Sequence, residues 1–212
     1  NLKLLDLTKR NEIYYDISQL YLRKNNPGRA YENIILFKTN DYNIIKETAV
    51  LANKLEKYDE SISYIEKLNA DKKQSDNEVL NILADNYYKT GDFKNSAELY
   101  GVLAKDNADS ETKFRLAESL FKINSFLESS NIFADIFDYK DGRKKYIECL
   151  ARLAESEEKN NNSDKAAEYY KSYYAVEPDD RIKLKIAELY LNQKKYKDIV
   201  NEYRNIPFSG EN

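Results

Sequence analysis

The sequence contains no histidine, no methionine and no tryptophan, and has one cysteine, three prolines and five glycines in 212 residues. Without histidine the chain lacks the commonest general base near neutral pH and the commonest metal ligand. A metal or proton-transfer site would have to be built from carboxylates alone, and no catalytic, metal or cofactor site is expected. The single cysteine, Cys149, excludes an intrachain disulfide and a multi-cysteine zinc site, and should pack as a small apolar residue. So little Gly and Pro argues against an all-β sandwich, which needs many turns. No apolar run approaches the roughly 20 residues of a membrane helix. A formal charge of −3 provides no broad basic field for nucleic acid or an anionic membrane. A chain with no Met also reads as a processed chain or a piece cut from a longer one.

What is present points to helices. Leu, Ala, Lys, Glu and Tyr are frequent, and 42% of residues are hydrophobic, too many for a disordered chain. Residues 77–108 read as a helix, a short turn at Thr90-Gly91-Asp92, and a second helix opened by Phe93. Ser96, Tyr100 and Leu103 follow at i, i+4 and i+7, which places them in one stripe. Two short helices cannot bury their apolar faces alone, so the unit should recur.

It does recur. A small residue inside a helical stripe stands at Ser18, Ala49, Ala84, Ala117, Ala154 and Ala187, at intervals of 31–37 residues. Twelve residues beyond each stand Ala30, Ser61, Ser96, Ser129, Ala166 and Ile199, mostly small. Sixteen beyond stand Ile34, Ile65, Tyr100, Phe133, Tyr170 and Tyr203, all large and apolar. Small residues let two helices approach closely, and large ones fill the space between one hairpin and the next. The longest interval is expected to be absorbed around residues 138–143, with Gly142 marking a loop.

These columns resemble the tetratricopeptide repeat (TPR) family, in six degenerate copies covering nearly the whole chain. The best copy carries Leu83-Ala84, Tyr87, Gly91, Phe93 and Tyr100; another carries Leu153-Ala154, Ala166, Tyr170 and a closing Pro178. Departures are the missing opening Trp and the bulky Phe37, Leu68, Leu103, Ile136 and Tyr173 where the family has a small residue. The resemblance implies an all-α, right-handed superhelical solenoid of antiparallel helix pairs. Its expected divisions are 1–10 as the tail of a preceding helix, repeats at 11–41, 42–76, 77–109, 110–145, 146–179 and 180–207, and a loose tail at 208–212.

The resemblance also implies that the first helix of each hairpin lines a concave groove where a protein or peptide binds. On that face Asp85 with Lys89, Glu118 with Lys122, and Glu155 with Lys159 are acid-then-base pairs at i, i+4. They read either as helix support or as a groove of alternating charge. Tyr88, Phe114 and Phe121 fall on the same face, with Tyr15, Leu184 and Leu191 in matching columns, as candidate apolar anchors; a tightly curled array would bury them instead. The family's peptide-carboxylate clamp is not matched, since Asn81 and Asp85 replace its Lys and Asn.

The expected function is therefore a non-enzymatic interaction scaffold, with no small-molecule substrate and no membrane insertion in this segment. Alternatives are an architectural part that docks through its ends, and a helical-repeat RNA reader, against which the charge argues. The bias to Lys, Asn, Ile and Tyr suggests an AT-rich, bacterial genome, and family association points to an envelope assembly in the periplasm or to the cytoplasm.

Overall fold

The computed structural model of the chain describes residues 7–68, 76–105 and 108–205, with the side chains at positions 7, 8, 10 and 202–205 outside that description. Every regular element among the described residues is a helix: α1 (Leu7–Arg23), α2 (Pro27–Ile34), α3 (Tyr42–Lys54), α4 (Tyr58–Glu66), α5 (Asn77–Thr90), α6 (Phe93–Leu103), α7 (Ser110–Lys122), α8 (Phe126–Asp135), α9 (Gly142–Lys159), α10 (Ser163–Val176), α11 (Asp180–Asn192) and α12 (Tyr196–Asn205). The contacts divide the chain into two units, residues 1–107 and 108–212. Within each, consecutive helices pair as hairpins, α1 with α2, α3 with α4, and so on. Residues 7–10 lie within α1. Residues 1–6, the connector at 69–75, the tail at 208–212 and the Tyr203 side chain lie outside the described residues.

Aspartates start many of the helices. The Asp41 carboxylate accepts from the backbone N–H groups of Asn43 and Ile44, and Asp76 from those of Glu78 and Val79. Asp92, Asp109 and Asp179 do the same for α6, α7 and α11. Each cap satisfies donors that the first helical turn leaves open.

The small-residue column is inside at every copy: Ser18, Ala84, Ala117 and Ala154 are 0% exposed, Ala49 1% and Ala187 8%. In the column twelve residues on, Ala30, Ser61, Ser96, Ser129 and Ala166 are buried, and so are Ile34, Ile65, Tyr100, Phe133 and Tyr170 four residues further. Each hydrophobic cluster joins one hairpin to its successor. Ala49, Ile65 and Leu68 meet Val79 and Leu83 in the first unit, and Ala154, Ala166, Ala167 and Tyr170 meet Ile186, Leu189 and Tyr190 in the second. The bulky residues that depart from the TPR pattern take part in this, with Leu68 and Ile136 buried in two of the clusters.

Seven residues after each small residue the backbone turns left-handed, at Asn25, Glu56, Gly91, Asn124, Asn161 and Lys194, with φ between 53° and 87°. That residue reverses the chain between the two helices of a hairpin. Only one of the six is a glycine, the residue for which this conformation carries no Cβ penalty.

The longest interval departs from expectation. Gly142 does not mark a loop; it is the first residue of α9 and is buried. A Cβ built there would lie 2.6 Å from the Ile136 carbonyl oxygen and 3.1 Å from that of Phe137. The extra residues fold back over the hairpin, where the Tyr139 hydroxyl donates to Glu111 at 2.7 Å.

Candidate partner-binding site

In the second unit the end of α7, the turn after it and the last turns of α9 enclose an open cleft of about 500 Å³. Phe121, Lys122, Asn124 and Phe126 form one wall; Arg152, Glu155, Ser156 and Lys159 form the other. The second wall follows from helix geometry, because residues at i, i+3, i+4 and i+7 share a face. The first wall is held by an aromatic pair, Phe121 against Phe126, with ring centroids 5.2 Å apart and planes at 68°. The Lys145 ammonium stands 5.2 Å from the Phe121 ring centroid, a cation–π contact.

Four residues expected on the groove, Phe121, Lys122, Glu155 and Lys159, are thus brought together. Arg152 completes the set and was not singled out from sequence, although its place three residues before Glu155 and seven before Lys159 put it on that stripe. The carboxylate of Glu155 pairs with Arg152 at 3.4 Å, and Glu118 pairs with Arg115 at 3.6 Å. Both acids therefore meet an arginine from the preceding turn, a partner the acid-then-lysine spacing did not indicate.

The other expected residues lie elsewhere. Phe114 is 5% exposed, packed edge-on to Phe133 at 5.6 Å and to Tyr139 at 6.0 Å. The folded-back segment covers it, and Lys140 caps its ring, so it is a core residue rather than a surface anchor. In the first unit Tyr88 is half-buried and packs edge-on against Phe93 at 5.3 Å, in the same two columns as Phe121 and Phe126. Asp85 accepts from the Tyr100 hydroxyl at 2.6 Å, joining the two helices of its own hairpin, and Lys89 is exposed. Leu184 and Leu191 are exposed, and Tyr15 donates to Glu47 at 3.2 Å.

A larger hollow of about 850 Å³ lies in the first unit, lined by Ile34, Phe37, Ile45, Tyr64 and Lys67 among others. None of the expected groove residues is in it. Cys149 is buried, its thiol pushed up by that burial, 3.5 Å from the Ser129 hydroxyl. Among the described residues no three acidic or Cys side chains gather as a metal site would need, and no helix is long and apolar enough to cross a membrane.

No family model and no curated protein matches the sequence. Solved structures do match. A double mutant of MamA RS-1 superposes with a TM-score of 0.51 at 16% identity, covering 79% of this chain and 94% of that one. YrrB, described as a TPR protein with an unusual peptide-binding site, superposes with a TM-score of 0.50 at 16% identity, covering 86% of this chain and 90% of its own. At such identities the likeness concerns the fold, and the chain has the all-α, TPR-like fold of helix hairpins that its repeat columns predict.

Proposed function

We propose that this chain is a non-enzymatic protein-interaction scaffold that binds a segment of a partner protein, with the cleft of the second unit as its contact point. The observation that carries this reading is the convergence of Phe121, Lys122, Arg152, Glu155 and Lys159 on one open hollow. An aromatic wall with few, placed charges is what an interface anchor site requires. YrrB, of similar fold, is described by a peptide-binding site, which favours the same kind of ligand here. The residue bias suggests a bacterial source, and the TPR resemblance suggests an envelope-associated assembly as the proposed setting.

The test is selection of linear peptides from a displayed random library on the folded chain and on Ser156→Trp. Ser156 is exposed in the cleft wall, so the indole fills the hollow without entering the core. A consensus enriched on the parent and lost on the variant supports the reading; no enrichment on the parent sinks it.

A second reading, attachment through the end of the array, is favoured by one observation. Thirteen residues beyond the small-residue column, Ser130 is 4% exposed and Ala167 1%, whereas Val200 is 57% exposed. Ala167 is covered by the next hairpin; among the described residues, Val200 presents the same face to solvent. Val200→Glu would abolish association by this route and leave peptide selection unchanged.

A further inference from the structure

We infer, resting on the cleft reading above, that the second-unit cleft selects an acidic segment: an apolar side chain seated against Phe121, flanked by carboxylates. The charges on its walls are Lys122, Arg152 and Lys159 against Glu155, three positive and one negative, or +2. The whole chain carries −3, so this hollow is of opposite sign to the molecule around it. Glu155 is itself engaged by Arg152 at 3.4 Å, which lessens its repulsion of an incoming acid. Lys145, above the Phe121 ring, pairs with Glu148 at 3.6 Å, so the rim leaves the net charge of the hollow at +2.

Clefts lined by one sign of charge concentrate ligands of the other sign, and complementary charge fixes which partner docks and in which register. Phe121 and Phe126 give the hollow an apolar wall that a bare anion would leave unused, so the ligand carries an apolar anchor beside its acids. The volume of about 500 Å³ suits one or two side chains of an extended segment. The Ser156 hydroxyl and the Asn124 amide, both on the lining, supply hydrogen bonds to its backbone. A local surplus of two positive charges suits a short acidic segment better than a nucleic acid, whose binding spreads over many phosphates.

The test is fluorescence anisotropy with three labelled peptide sets on the folded chain. Each has a central Phe or Leu, flanked by Asp and Glu, by Ser and Asn, or by Lys and Arg. Acid-flanked peptides should bind at least about tenfold tighter than base-flanked ones, with affinity falling as salt rises. The exposed pair Lys122→Glu with Lys159→Glu should reverse the preference while circular dichroism stays unchanged. Equal binding of all three sets, or preference for base-flanked ones, overturns the charge inference and leaves the cleft reading standing. Binding of none overturns both. Tighter binding of a single-stranded RNA oligonucleotide, lost in the same double variant, overturns the inference in favour of nucleic acid.

Discussion

The Asn86 side-chain amide donates to the Ser61 hydroxyl at 2.8 Å, and both residues are 0% exposed. Ser61 donates in turn to the Ala49 carbonyl at 2.8 Å, and the Asn86 oxygen accepts from Asn53 at 2.6 Å. Four residues on α3, α4 and α5 thus form one polar chain, through which the second hairpin holds the third. Other first helices carry Leu51, Ser119 or Leu189 in the Asn86 column. A buried polar group is costly once its partner is gone. Asn86→Ala should therefore lower the stability of the first unit by about 1–3 kcal/mol. Asn53→Ala removes only one of the two Asn86 bonds and leaves that to Ser61 in place, so it should cost less. Denaturant midpoints read the order, and a larger loss for Asn53→Ala would refute the account.

Two glycines should respond in opposite directions to the same substitution. At Gly142 a Cβ meets the Ile136 carbonyl at 2.6 Å, backbone that cannot step aside as a side-chain tip can. Gly142→Ala should lose about 1–3 kcal/mol. Gly101 lies inside α6 with nothing within 4 Å of its Cβ position, so Gly101→Ala should gain roughly 0.5–1 kcal/mol from helix propensity. Thermal unfolding of the two variants reads both signs, and a stabilised Gly142→Ala would mean that the start of α9 is not pressed on the Ile136 and Phe137 carbonyls as described.

The helix pairs were legible because packing leaves a periodic mark. Small residues recur wherever two helices touch, and that column is buried throughout. The fate of Phe114 was not legible, because its burial depends on a segment with no counterpart in the other copies. Nothing in the polar stretch around Asp141-Gly142 says whether it loops outward or folds back to put Tyr139 on the Phe114 ring. The cleft was half legible: helical spacing gathers Glu155 and Lys159, and only the fold sets them opposite Phe121. The left-handed column was masked by residue type, since Glu56 and Lys194 are not residues that announce a turn.

That column yields a prediction of its own. Glu56 is exposed with φ 59°, a conformation costing a non-glycine residue about 1–2 kcal/mol. Glycine removes that cost and adds roughly 0.4–1 kcal/mol of chain entropy to the unfolded state. The first effect is larger, so Glu56→Gly should raise the denaturation midpoint slightly. Gly91→Ala, at φ 87°, should lower stability by about 1 kcal/mol. A loss on Glu56→Gly would show that its side chain does something here beyond adopting the turn.

Among the described residues, tyrosine hydroxyls donate to carboxylates at Tyr15 to Glu47, Tyr31 to Glu60, Tyr42 to Asp76, Tyr87 to Glu66, Tyr100 to Asp85, Tyr139 to Glu111 and Tyr170 to Glu158. Each such bond needs the phenol to keep its proton. Burial first, and then the bond to Glu66, push Tyr87 up to about 12; burial followed by a carboxylate bond raises Tyr31 and Tyr170 further. An unfolded tyrosine ionises near 10. The stabilisation from these groups is therefore complete below about pH 10. It declines as the pH rises from there towards about 12 for Tyr87, because the unfolded chain releases protons that the folded chain still holds. The urea midpoint should fall steadily over that interval, and Tyr87→Phe should make the fall shallower. A midpoint indifferent to pH across the interval, or a Tyr87→Phe slope equal to the parent's, would show that these hydroxyl–carboxylate bonds do not hold the hairpins together.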